Sequence, residues 1–97
     1  MKGHQKVKPM FLFLLKQSVN DEHDTFDSAV VCAHSAEEAS KMHPGGYIWN
    51  GSKWACPSYY MSGDDWANPA DVRVTLIGVA DAKFDKPQVL VASFNAG

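Results

Sequence analysis

Apolar positions along the chain gather in short runs separated by polar or irregular stretches. The run at 10–17, MFLFLLKQ, turns Phe11, Phe13 and Leu15 to one side of a strand and Met10, Leu12 and Leu14 to the other. At 29–33 the run AVVCA, with adjacent valines, suits a strand buried on both faces. A third strand is predicted at 71–79, with Val72, Val74 and Leu76 on one side and Arg73 and Thr75 opposite. Gly78 after Ile77 signals a bulge or a close backbone approach there. The last, at 89–94, VLVASF, is apolar on both sides and is opened by Pro87. Between these runs, 18–28 predicts an acidic connection anchored by Phe26, and 80–87 a polar hairpin loop.

Period changes after the second run. Ser35 stands three residues before Glu38, the spacing at which a serine hydroxyl accepts an orphan helix amide and the glutamate reaches back. Glu37 and Glu38 place negative charge at the positive end of a helix dipole. Ala36, Ala39 and Met42 or His43 share a face, with Glu37, Glu38 and Lys41 towards water. His43, Pro44, Gly45 and Gly46 end the helix, which predicts roughly two turns, about 12 Å. The order is β-β-α-long loop-β-β, an α+β fold built on a small, mostly antiparallel four-stranded sheet with one short helix and a hairpin at each end. Residues 1–9, with three lysines and no periodicity, read as a flexible basic tail, and 10–97 as a single domain.

The segment 44–70 predicts no periodic element, yet it holds every tryptophan and tyrosine: Tyr47, Trp49, Trp54, Tyr59, Tyr60 and Trp66. Connections longer than about 12–15 residues are uncommon in compact domains and are usually functional or disordered. Aromatics with a polar tip favour places that are half dry and half wet, as at interfaces and ligand mouths. Those six residues, with Arg73 as a fork for phosphate or carboxylate, are the candidate ligand-binding set. The alternative is that the loop is a lid on the sheet's second face and its rings are core. One short helix cannot cover both faces of a sheet that is apolar on both sides, so a homo-oligomer, a dimer or higher, is expected.

Composition narrows the chemistry. A net charge of −2 and a single arginine, Arg73, argue against a long nucleic acid as partner. The apolar run 10–15 is too short for a membrane span and is followed by no cleavage-site pattern. Two cysteines are too few for a disulfide scaffold, and Cys32 reads as a small core residue, so a reduced, cytoplasmic setting is expected. Cys32, His34, His43 and Cys56 fit no zinc spacing, and Asp21, Glu22, Asp24 and Asp27 lack the ligand alternation and central glycine of a calcium loop. No nucleophile elbow, phosphate loop or dinucleotide fingerprint occurs. Asp64, Asp65 and His43 remain an acid–base set for a hydrolase. The expectation is therefore a non-enzyme, without catalytic residues, metal or cofactor.

The strings DSAVVCAHSAEEASKMHPGG at 27–46, DVRVTLIGVA at 71–80 and VLVASFNAG at 89–97 resemble a family of small accessory proteins encoded by bacteriophages and prophages. The likeness covers most of the chain from residue 10 and does not extend with confidence through the loop from Tyr47 to Trp66. It implies an anti-defence protein acting in the host bacterial cytoplasm. On that footing the aromatic set would sequester a small nucleotide signal in an oligomer. The alternatives are an inhibitor that docks the same rings on a host defence enzyme, and a small hydrolase acting on a nucleotide.

Overall fold

The computed structural model describes residues 9–19, 25–55 and 66–95. Most of the expected basic tail, the acids at 21–24, Cys56, Tyr59, Tyr60, Asp64 and Asp65 lie outside the described residues. The elements are β1 (Phe11–Lys16), β2 (Thr25–Ala33), α1 (Ala36–Ser40), β3 (Ile48–Trp49), β4 (Trp54–Ala55), β5 (Arg73–Val79) and β6 (Gln88–Asn95). A 3-10 turn, Pro69–Asp71, leads into β5. The long strands form one antiparallel sheet in the order β5-β1-β2-β6, and β3 and β4 form a second, two-stranded sheet. The fold is thus the expected α+β arrangement.

Its connectivity differs from the expectation at one end. β1 and β2 form a hairpin, with Phe13 opposite Val31 and Leu15 opposite Ala29. β5 and β6 do not pair with each other; they occupy opposite edges, β5 against β1 and β6 against β2. Residues 80–87 are therefore a crossover over the ends of β1 and β2 and not a hairpin loop. The Ala80 amide donates to the Met10 carbonyl at 3.0 Å, and the Cys32 thiol lies 3.5 Å from the Lys86 carbonyl oxygen it donates to. The distance is modest: three strand spacings are about 14 Å. The arrangement gives the two most apolar strands the inner positions, where both edges are paired, and leaves strands with polar members outside.

β2 also begins earlier than its apolar run, at Thr25. A register shift between Phe26 and Ser28 leaves Asp27 as the extra residue, which lets Phe26 pack against the core although its neighbours are polar. The predicted shift near Gly78 is present: β5 slips by one residue opposite Leu12 and Phe13, so Ile77 is the extra residue there.

The helix is shorter than two turns. It is capped as its sequence requires, with the Glu38 amide donating to Ser35 Oγ at 3.1 Å. Glu38 Oε1 reaches back one residue further than in the usual box and accepts the His34 amide at 2.6 Å. The end comes at Lys41, where Lys41 and Met42 amides bond three residues back, to Glu38 and Ala39. Met42 then bridges to Ile48, so the chain is already extended before His43. Ala39 is fully buried against the sheet, whereas Ala36 faces water. Replacing Ser35 by alanine is expected to lower stability by about 1 kcal/mol. Thermal denaturation would read this as a fall of roughly 4–8 °C for a domain of this size.

One face of the sheet carries the core. Phe13, Leu15, Ala29, Val31 and Ala33 from the sheet meet Ala39, Tyr47, Trp54, Trp66, Ala67 and Val72. The second layer is therefore the short helix together with the aromatic segment, and the indole rings are its main substance. On the other face Leu12, Leu14 and Val30 are half-buried, and Val91 is exposed. Among the described residues, no helix is long and apolar enough to cross a membrane.

Candidate functional site

The aromatic segment is built around His43. Its ring stacks on Tyr47 at 4.3 Å between centroids and 21° between planes, and meets Trp54 edge-on at 5.2 Å. Trp66 and Phe26 complete the surround at 6.4 and 6.0 Å, and Phe26 in turn packs on Phe94 at 4.8 Å. The Gly45 amide donates to His43 Nδ1 at 2.8 Å, so that nitrogen carries no proton in this arrangement. A Cβ at Gly45 would lie 3.3 Å from the His43 ring, so a side chain there would require the ring to give by a few tenths of an ångström. Trp54 is pinned at its polar tip, where Nε1 donates to the Ala67 carbonyl at 2.9 Å, tying the small hairpin to the segment before β5.

That hairpin has the local chemistry of a tight turn. Asn50 Oδ1 accepts the amides of Ser52 and Lys53, each at 2.9 Å, and the Asn50 amide donates to the Lys53 carbonyl at 3.0 Å. Gly51 takes φ of +104°, a conformation that side chains disfavour. The turn sets Trp49 directly opposite Trp54, with the rings 5.1 Å apart at 64°. Trp54 is buried and Trp49 is half-buried, so one indole holds the other at the rim.

The structure divides the candidate set. Tyr47, Trp54 and Trp66 are buried and form core, but on the same sheet face as the helix and not on the second face where the lid reading put them. Trp49 keeps an accessible face, beside Ile48, which is exposed. Tyr59 and Tyr60 lie outside the described residues. Arg73 is exposed and lies on the sheet face away from the rings, because Val72 and Val74 on either side of it pack into the core. It stands directly opposite Lys16 across β1 and β5. The ion pairs among the described residues are His34–Glu38 and Lys41–Glu37, so no carboxylate of that set neutralises Lys16 or Arg73. The sequence reading passed over two cations: Lys16, whose neighbour is fixed only by strand register, and Lys53, exposed in the turn beside Trp49.

Among the described residues, no three histidine, cysteine, aspartate or glutamate side chains gather as a metal site would require. Cys32 is a buried free thiol at the end of β2. No family model matches the chain, and searches of curated proteins and of solved structures likewise return no match.

Proposed function

We propose that this chain is a non-catalytic accessory protein of phage origin that captures a small nucleotide-type signal in the host cytoplasm, with Trp49 as its stacking platform. What supports the reading is the state of that one ring. Trp49 is half-exposed, yet it is positioned by a buried indole at 5.1 Å and by a hairpin turn locked through Asn50. A ring ordered before the ligand arrives loses little conformational freedom on binding. Base stacking on an aromatic ring contributes about 1–3 kcal/mol per base and tolerates any base. Lys53, on the same turn, supplies a cation for phosphate. Arg73 faces the other way and has no part in this platform.

A second reading, docking on a host defence enzyme, is favoured by Ile48. It is 64% exposed on the face of the hairpin opposite Trp49, and an exposed aliphatic side chain on a rigid hairpin suits a protein contact. Thermal shift with a panel of cyclic and linear nucleotides separates the readings. The expected result is stabilisation by one member, lost in Trp49→Ala while the unliganded melting temperature of that variant falls by only roughly 4–8 °C. At a ligand concentration of about 100 Kd the gain is about 2.7 kcal/mol, large enough to see plainly. The nucleotide recovered after heat denaturation should be intact. Indifference to the whole panel, with a host protein captured through Trp49, would establish the second reading; an altered nucleotide would make the chain a hydrolase.

A further inference from the structure

The chain holds asparagines at positions 20, 50, 68 and 95, and of these only Asn50 is followed by glycine. That order matters chemically. The backbone nitrogen after an asparagine can attack the side-chain amide one residue back, and a glycine there has no Cβ to stand in the way. Asn68 cannot react so, because Pro69 carries no amide hydrogen to give up. The fold puts Asn50 and Gly51 at the tip of the small hairpin. Both are exposed, and nothing lies within 4 Å of the place a Cβ of Gly51 would take. The bonds of the turn run from the Ser52 and Lys53 amides to Asn50 Oδ1 and from the Asn50 amide to the Lys53 carbonyl, passing over the Gly51 amide. The Ser52 hydroxyl gives Oδ1 a third donor at 3.2 Å. Three donors on one carbonyl oxygen draw charge from Cγ and are already aimed at the atom that becomes an oxyanion when Cγ is attacked.

We propose that Asn50 is a self-modification site, at which the Gly51 amide nitrogen closes on the Asn50 side chain and unlocks the turn that holds Trp49. A solvent base takes the Gly51 amide proton, and the nitrogen's electron pair forms a bond to Asn50 Cγ. The Cγ–Nδ2 bond then breaks, and Nδ2 takes a proton from water and leaves as ammonia. What remains is a five-membered succinimide ring. Water opens it at either carbonyl: breaking the new bond leaves an aspartate, and breaking the original peptide bond leaves an isoaspartate whose main chain runs through Cβ and Cγ. In sum, one amide and one water give one carboxylic acid and one ammonia, with no oxidant or other co-reactant. The aspartate keeps an acceptor for the Ser52 and Lys53 amides. The isoaspartate lengthens the backbone by one carbon between Trp49 and Gly51, so this turn no longer fixes the pairing of Trp49 with Trp54 or the 5.1 Å contact of their rings. Either product adds a carboxylate to the turn that carries Lys53. The modification stands without the nucleotide reading; that it would end capture of an anionic ligand rests on that reading.

Incubating the full folded chain at 37 °C in mildly alkaline buffer, then digesting it under mildly acidic conditions for mass spectrometry, tests this. Conversion at Asn50 should be at least about tenfold faster than at any other asparagine and should rise with pH, because the nucleophile is the deprotonated amide. The peptide that holds position 50 should contain isoaspartate as well as aspartate, with ammonia released in step. Over the same incubation, tryptophan fluorescence should move towards that of water-exposed indole in the wild type. It should hold constant in Asn50→Gln, whose longer side chain does not close the five-membered ring. An Asn50 that stays intact would overturn the proposal. So would aspartate without isoaspartate, which means direct hydrolysis by water, or conversion confined to protein unfolded in urea, which means that the turn holds the two groups apart. No nucleotide is present in these measurements, so their failure leaves the reading of Trp49 as a platform standing, and a nucleotide panel without effect leaves the modification standing.

Discussion

Trp66→Ala is expected to leave the chain largely unfolded at 37 °C. Trp66 is 2% exposed, the largest of the fully buried side chains, and packs with Phe13, Leu15, Tyr47 and Trp54 in one core. Truncating a buried tryptophan costs about 3–5 kcal/mol, because the lost transfer energy is joined by the cavity that remains. A domain of this length has a total stability of about 5–15 kcal/mol, so the loss runs from about a fifth of that to the whole of it. Each kcal/mol shifts the melting temperature by roughly 4–8 °C. Trp49→Ala is the internal comparison: a half-buried ring at the rim should cost about 1 kcal/mol. Chemical denaturation of the two variants reads the difference directly. Equal and small losses would mean that Trp66 is a ligand surface and not core, and the division of the aromatic set drawn above would fail.

That division marks the boundary of what could be read without coordinates. Strand and helix positions were legible because their signals are local. Phe11, Phe13 and Leu15 alternate with Met10, Leu12 and Leu14, and Ser35 caps at the spacing its hydroxyl demands. Sheet order was not, because it depends on which edges of four strands meet. The eight residues at 80–87 look like a hairpin loop and are equally long enough to cross two strand ends. The small hairpin was legible in part: Asn50–Gly51 between Trp49 and Trp54 is a strong turn signal. Its strands, two residues each, are too short to show any period, so the stretch passed for loop. Burial of the tryptophans was undecidable from the sequence, since an indole carries the same pattern whether it covers a core or waits for a ligand. Arg73 shows the same limit. Its face was predicted by alternation, but that Lys16 lies opposite it follows only from strand register.

Two adjacent valines separate the faces of the sheet most sharply. Val31 has no accessible surface and sits opposite Phe13 and Val89 beneath the aromatic layer. Val30, its neighbour, is half-buried on the other face, opposite Leu14 and Val91. The sequence treats them as equivalent, and both have the same β-branched fit to a strand. Val31→Asp places a carboxylate in a fully buried, mainly apolar core, so it must either remain charged there or fold only when protonated; either way the loss is several kcal/mol. The variant should fail to fold at neutral pH and gain structure as the pH falls through the carboxylate range. Here the sign is fixed, because burial raises the folded-state pKa of an acid above its unfolded value and stability is then lost as pH rises. Val30→Asp can turn its carboxylate towards water and should cost about 1–2 kcal/mol with little of that pH dependence. Equal collapse of both variants would mean that the second face is also closed, by a further layer or a partner.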